Sequence, residues 1–375
     1  MNRGTIAEID LRALSANLRV VRGLARDCSV IAVVKADAYG HGAVEVSRRL
    51  VKDGADCLAV AFTDEARALR QAGIAVPLLV LFDSRPESDD VLAHNLIPVV
   101  SSREVAFILS KEAERANRQI SVHIKVDTGM GRLGLEGAAA RSIEDISRLG
   151  GIHIAGVMSH FSEADLADVS FSQKQINKFR ALQSELSAAG VEVPLFHMAN
   201  SAAIMALPES HLDAVRPGLM LYGYSPLAPE CERDKGVFRA VASLQPVMTV
   251  RTRIVAIRKV PAGMPVSYCR TFVTQRESRI AVIAAGYADG FNRKFSNNAE
   301  VLVRGKRVPV VGRVCMDLTM VDVTEIQEAE EDDEVVIVGK QGEMSVDAAE
   351  LAMRADTIPY EVLIALGSKA RRVYK

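Results

Sequence analysis

Ile97-Pro98-Val99-Val100-Ser101-Ser102-Arg103-Glu104-Val105-Ala106 reads as one complete strand-to-helix unit. The apolar run Ile97–Val100 is a short strand, and Ser101-x-x-Glu104 is a capping box that opens a helix before the next apolar run. The same order of short strand, turn and amphipathic helix recurs through the first two-thirds of the chain. It predicts strands at Val30–Val34, Cys57–Phe62, Pro77–Phe82, Ile97–Val100, Val122–Val126, Ile152–Met158, Leu195–Met198 and Ala214–Val215. Between them, Gln173–Ala189 lines up Ile176, Phe179, Leu182 and Leu186 on one helical face and stops at Gly190. Eight strands alternating with helices point to an α/β fold, a parallel (β/α)8 TIM-like barrel. A doubly wound open sheet has the same periodicity and stands as the alternative.

Near Leu244 the pattern changes. Val247–Arg253, Arg279–Ala284, Glu300–Val303, Arg307–Val311 and Glu334–Val338 are β-rich, and Arg304-Gly305-Lys306 sits between two of them as a hairpin turn. The acidic stretch Glu328–Glu334 reads as a solvated loop. Helical segments are expected near Ser345–Asp356 and Pro359–Leu366. The 375 residues therefore divide into a barrel over 1–243 and a mostly β domain over 244–375. The first residues are left able to pack on the C-terminal domain.

The formal net charge is -1, so no global field favours nucleic acid or an anionic membrane, and a small molecule is the expected partner. Five scattered cysteines without CxxC spacing argue against a disulfide framework or a thiolate zinc site and fit a reducing compartment. The N-terminus lacks a signal-peptide core, and no apolar stretch reaches membrane-spanning length. The expected location is the cytoplasm, and no metal site is expected.

In a barrel the C-terminal ends of the strands line the active site. The proposed strands end near Lys35, Lys125, His160, Asn200 with Ser201, and Arg216, polar groups that a packed core would not choose. Singly, each has an ordinary reading: a strand-end lysine snorkels to solvent, and a strand-end histidine is a satisfied core group. Together they converge. Lys35 leaves an apolar strand into a Gly-rich turn, so its amine is partly desolvated, which lowers its pKa and suits Schiff-base chemistry.

Ala32-Val33-Val34-Lys35-Ala36-Asp37-Ala38-Tyr39-Gly40-His41-Gly42 resembles the pyridoxal phosphate attachment motif of the alanine racemase family. TIAEIDLRALSANL, KVDTGMGRLG, GVMSHFSEAD, HMANSAA, VRPGLMLYG, PVSYCRTF, GYADGFNR, VGRVCMD and TIPYEVL resemble further family segments, in the family's order. The resemblance covers nearly the whole chain. It implies a pyridoxal phosphate-dependent two-base interconversion of L-alanine and D-alanine that supplies D-alanine for peptidoglycan.

Carried over by position, the resemblance makes Lys35 the cofactor lysine and one catalytic group. Tyr268 is the second, on the opposite face. A free phenol has a pKa near ~10 and needs positive neighbours or hydrogen bonds to act as a base at neutral pH. His160 and Arg216 resemble the family's relay to it. Tyr39, Ser201, Gly218, Leu219 and Tyr360 would hold the phosphate, Arg216 would face the pyridine nitrogen, and Arg132 with the backbone of Met316 would bind the substrate carboxylate. Asn200 is assigned to shaping its loop. Lys125 resembles a position that carries a carbamate, and Asp165, Tyr287, Arg293 and Arg313 resemble residues at the site's mouth. The family's β domain completes the partner's barrel site, which implies a homodimer. Cys269 departs from the pattern, since the family usually has glycine there.

Three alternatives are weighed. One is a racemase preferring serine or another amino acid; the narrowing by Tyr268 and Tyr360 favours a methyl side chain. Another is a decarboxylase, which would need a carboxylate facing the pyridine nitrogen where this chain has Arg216. The third is a non-catalytic pyridoxal phosphate-binding barrel, which would have no use for Tyr268.

Overall fold

The computed structural model describes residues 4–83, 88–233 and 235–375. The chain forms two compact units: one of 14–38 with 43–245, the other of 1–13, 39–42 and 246–375.

The first unit is a closed barrel of eight parallel strands: β2 (Ser29–Val33), β3 (Cys57–Val60), β4 (Leu78–Val80), β5 (Ile97–Val100), β6 (Ile120–Lys125), β7 (Ile152–Met158), β8 (Phe196–His197) and β9 (Ala214–Val215), with β9 closing back onto β2. The open doubly wound sheet is thereby excluded. The strands are short, two to seven residues each, and mostly apolar because both faces are covered. The helix Ser170–Ala188 buries Ile176, Phe179, Leu182 and Leu186, and Phe179 meets Phe196 edge to face at 6.0 Å. It ends where Gly190 takes a positive φ of 68°, a conformation that costs glycine little. The capping residue before Arg103–Arg115 is Ser102, whose hydroxyl accepts from the Val105 N–H at 3.3 Å. The expectation of Ser101 is corrected by one residue, because Ser102 is the last extended residue and its side chain faces the orphan amide.

In the second unit β1 (Ile6–Ile9) pairs antiparallel with β10 (Met248–Val260) and parallel with Arg371–Tyr374. The rest of this sheet includes Ser278–Ile283, Glu300–Val303, Lys306–Pro309, Thr319–Asp322 and Glu334–Gln341. Val303 pairs with Lys306 across Arg304-Gly305, both at positive φ, as a tight hairpin turn demands. The acidic loop before Glu334 is held by arginines of the same unit. Arg304 donates to Glu330 and Asp333, and Arg253 to Asp332. Helices Ala348–Ala355 and Pro359–Lys369 follow; Asp347 caps the first and Pro359 opens the second. None of the five cysteines is in a disulfide.

Candidate active site

Lys35 lies two residues beyond β2, and the backbone after it is unusual. Ala36, Asp37, Ala38 and Tyr39 all have φ near +53°, followed by Gly40 at +83°. For residues with a Cβ the left-handed region costs roughly 1–2 kcal/mol each, so four in succession need external support. The Ala36 N–H donates to Glu65 Oε1 at 2.6 Å, the Ala38 N–H to the Val34 carbonyl at 2.9 Å, and Asp37 Oδ1 accepts from the Ala43 N–H at 2.7 Å. These bonds hold the turn, and the turn sets where Lys35 leaves the strand.

Three cations of the barrel share one aromatic ring. Lys35 Nζ is 5.0 Å from the Phe82 centroid, Lys125 Nζ 5.4 Å and the Arg132 guanidinium 5.3 Å. Lys125 is the last residue of β6 and is buried. Burial lowers the Lys35 amine, with Arg132 and Arg216 adding and Glu65 opposing. Burial, then Arg132, Arg216 and Lys35, push Lys125 down to about 8 against the opposing charge of Asp127. Arg132 sits in a loop organised by Asp127, whose carboxylate accepts from the N–H groups of Gly129, Met130 and Arg132 at 2.7, 2.7 and 3.0 Å.

Arg216, one residue past β9, is 4 % exposed. Its Nη1 donates to His197 Nδ1 at 2.7 Å; its Nη2 donates to the carbonyls of Ser159 and Met198 at 2.7 and 3.1 Å and reaches His160 Nδ1 at 3.3 Å. Among the described residues it has no carboxylate partner, the partner that a loop arginine would ordinarily take. Burial works against its charge, yet a guanidinium starts high enough to remain a cation. Burial, followed by Arg216, holds His160 and His197 well below the usual histidine range and His123 at about 3. His160 is thus a neutral ring that accepts at Nδ1 and carries its proton on Nε2.

Ser201 begins the helix Ser201–Ala206, and its hydroxyl accepts from the Gly218 N–H at 2.9 Å and the Met220 N–H at 3.4 Å. Asn200 caps that helix, accepting from the Ala203 N–H at 3.0 Å. Gly218 and Leu219 open the turn Leu219–Tyr222, so amide donors and a hydroxyl collect beyond β8 and β9.

In the second unit Tyr39 and Tyr360 lie together with ring centroids 5.7 Å apart. Burial, then Tyr360, raise the Tyr39 phenol, which stays a hydroxyl donor. Gly40 is required there, since a Cβ would lie 2.7 Å from the Leu363 carbonyl oxygen. Tyr268 is two-thirds exposed and sits on a loop where Ser267, Cys269 and Arg270 all have positive φ. Ser267 Oγ donates to the Arg313 carbonyl at 2.6 Å, and Gly312 makes room for it, its absent Cβ falling 2.7 Å from that of Ser267. Cys269, at φ 60°, occupies a conformation natural to glycine. A cavity of about 530 Å³ lies beside this loop, lined by Tyr268, Ser267, Cys315 and the apolar Val260, Met264 and Met320. Met316 and Tyr287 are joined through backbone bonds, Tyr287 N–H to the Cys315 carbonyl at 3.0 Å and Ala288 N–H to the Met316 carbonyl at 2.9 Å.

The barrel therefore gathers Lys35, Lys125 and Arg132 around Phe82, Arg216 with His160, and Ser201 with Gly218. The second unit gathers Tyr39 with Tyr360, and Met316 with Tyr287. Phe82, His123, His197 and Asp127 are partners that the residue patterns do not single out. Only Asp127 left a signal, an aspartate two residues before a run of glycines.

Two family models match the chain, the alanine racemase N-terminal domain over residues 9–226 and the alanine racemase C-terminal domain over 247–374. An alanine racemase of Thermodesulfovibrio yellowstonii is 49 % identical over 100 % of this chain and 98 % of its own. The crystal structure of an alanine racemase from a D-cycloserine-producing Streptomyces lavendulae superposes with a TM-score of 0.93 at 35 % identity, covering 100 % of this chain and 98 % of that one. That of Bartonella henselae, with covalently bound pyridoxal phosphate, gives 0.87 at 29 % identity over 99 % of both.

Proposed function

The chain belongs to the alanine racemase family and interconverts L- and D-alanine, and we propose that it does so with pyridoxal phosphate held at Lys35 and with Lys35 and Tyr268 as opposed acid/base groups. The observation that carries the mechanism is the Arg216 cation, buried beside neutral histidines and, among the described residues, without a carboxylate partner.

The donor set fits the cofactor. An amine pushed toward its neutral form suits covalent attachment at Lys35. The Ser201 hydroxyl, the Gly218 and Leu219 amides, and the phenols of Tyr39 and Tyr360 suit a phosphate dianion. When bound, pyridoxal phosphate supplies an electron sink that acidifies the α-hydrogen of alanine. Arg216 has no acceptor to take a proton from, so facing the pyridine nitrogen it holds that atom unprotonated. Placed there, Arg216 would weaken that sink and so would favour return of a proton over side reactions.

Inversion needs one group to take the α-proton and a second to return one from the other face. Lys35 serves one face and Tyr268 the other, with Arg132 and the Met316 backbone fixing the substrate carboxylate. His160, accepting from Arg216 and carrying its proton on Nε2, connects the arginine toward the phenol. The free amine of Lys125 is competent to take up CO2 with loss of a proton, and the resulting carbamate would give Arg132 an anionic partner.

We assign a homodimer in which the barrel holds the cofactor and the partner's β domain supplies Tyr268 and Met316. The outward display of Tyr268, Met316 and Tyr287 on the second unit supports that reading. No helix among the described residues is long and apolar enough to cross a membrane. The free cysteines support a cytoplasmic location, and the product is assigned to peptidoglycan precursors.

The test is incubation with L-alanine, L-serine or L-lysine in heavy water with pyridoxal phosphate, following chirality and deuterium together. Inversion of alanine with deuterium at Cα is expected. A preference for serine or lysine would displace the substrate assignment. A protein that binds the cofactor and exchanges nothing would overturn the mechanism.

A further inference from the structure

Arg216 is the end of a longer buried row. Its Nη1 donates to His197 Nδ1 at 2.7 Å, and His197 Nε2 meets His123 Nδ1 at 2.7 Å. The two imidazoles stand edge to face at 4.9 Å, and both are buried. A guanidinium can only donate, so His197 Nδ1 must accept and bears no proton. The remaining proton of a neutral His197 is then on Nε2, which donates to His123 Nδ1. His123 in turn carries its proton on Nε2. One fixed cation thus dictates the tautomer of two rings in succession.

The barrel is built to seat this row. The register between β6 and β7 shifts between Val122 and His123, an irregularity that re-aims the side chain after it. Across the shift stands Gly156, where a Cβ would fall 2.8 Å from His123 Cε1 and 3.0 Å from its Nδ1. A side chain at 156 and the imidazole at 123 cannot share that space. Burial and then Arg216 disfavour a second proton on each of His123, His197 and His160, with His123 adding at His197 and Arg132, Lys125 and Lys35 adding at His160.

We propose that His197 and His123 are positioning residues for the racemisation: an uncharged acceptor chain that fixes the orientation of Arg216 while leaving its positive charge unneutralised. A carboxylate could hold the guanidinium as firmly, but it would cancel the charge directed at the cofactor ring. An imidazole that accepts at one nitrogen and passes its proton onward to a second imidazole holds the arginine and cancels nothing. The functional consequence rests on the reading that Arg216 faces the pyridine nitrogen; the tautomer chain does not.

The test has two arms. In the wild-type protein labelled with 15N in its imidazoles, His197 and His123 should both report unprotonated Nδ1 and protonated Nε2 from pH 5.5 to 9. A Nδ1-protonated tautomer or a protonated ring in that range, at either position, would overturn the proposal without touching the cofactor reading. In the second arm, His197→Gln keeps an acceptor for Arg216 and a donor for His123, and should retain most of kcat. His197→Leu should lose kcat by roughly 10–100-fold, as when an outer-shell partner of a metal ligand is replaced, and His123→Phe, one contact further out, should lose less, both with little change in KM. His197→Glu should abolish the benefit of the arginine although it binds it. Expected tautomers together with a His197→Glu variant as active as His197→Gln would contradict the charge argument and leave only a structural role.

Discussion

The barrel and the β unit hold their functional groups in opposite ways. In the barrel Lys125, Arg216, His123 and His197 are buried, and each is fixed by ring contacts or hydrogen bonds at stated atoms. In the β unit Tyr268 is 67 % exposed and Met316 54 %, on two loops joined by the bond from the Ser267 hydroxyl to the Arg313 carbonyl. Burial in the first case tunes charge: it lowers the lysines and keeps the histidines neutral. Exposure in the second leaves these groups open to solvent, in keeping with the proposal that another subunit completes their site. Substitutions in the barrel should therefore change stability and activity together, and substitutions at Tyr268 should change activity alone.

The largest effect is expected from Lys35→Ala, which on the proposed mechanism removes both the attachment amine and one acid/base group; racemisation should fall by about 10⁴-fold or more. Initial rates from both enantiomers check it, and a loss below about tenfold would count against a catalytic Lys35. Tyr268→Phe should slow racemisation by roughly 10²–10⁴-fold with no shift in urea midpoint. It should still let Lys35 exchange the α-hydrogen of one enantiomer, and equal loss of exchange from both would break the assignment of one face to each group.

The pH dependence sharpens the contrast from the barrel side. His123, His160 and His197 have folded-state values far below that of an unfolded histidine. Below about pH 6.5 the unfolded chain binds protons that the native barrel refuses, so stability is full above that pH and falls as pH drops. Each histidine contributes up to about 1.4 kcal/mol per pH unit in that window. Urea titrations between pH 7 and pH 5 should show this, and His123→Gln should remove about one proton from the uptake on unfolding. The smallest effect concerns the loop. Cys269→Gly relieves one left-handed residue and should stabilise by about 1 kcal/mol. A destabilised variant would mean that the thiol makes a contact that outweighs the strain.

The βα repeat was legible because each strand is a short apolar run and each helix has its own punctuation; it was weakest at Phe196–His197 and Ala214–Val215, where two-residue strands leave little pattern. The strands Ile6–Ile9 and Arg371–Tyr374 did not. Their alternation is broken by charged residues, and they are strands through pairing, Ile6–Ile9 with β10 and Arg371–Tyr374 with Ile6–Ile9. The same distinction runs through the candidate site. Lys35, Lys125 and Arg216 declare themselves as polar residues at strand ends. Phe82 is an apolar residue closing an apolar run, and its role between three cations exists only in space. His123 and His197 are 74 residues apart and meet because β6 and β8 both pair with β7. Local pattern carries no trace of such a pairing, nor of the left-handed turn at Ala36–Tyr39, whose residues have no propensity for it.

The most direct test of opposed groups contributed by two subunits is complementation. Lys35→Ala and Tyr268→Phe chains, each inactive alone, are unfolded together, refolded as a mixture and assayed with L-alanine. If Lys35 of one subunit works with Tyr268 of the other, half of the dimers are mixed and each has one intact site, so about a quarter of wild-type activity should return. Activity no greater than that of the separate variants, with mixed dimers present, would contradict the shared site.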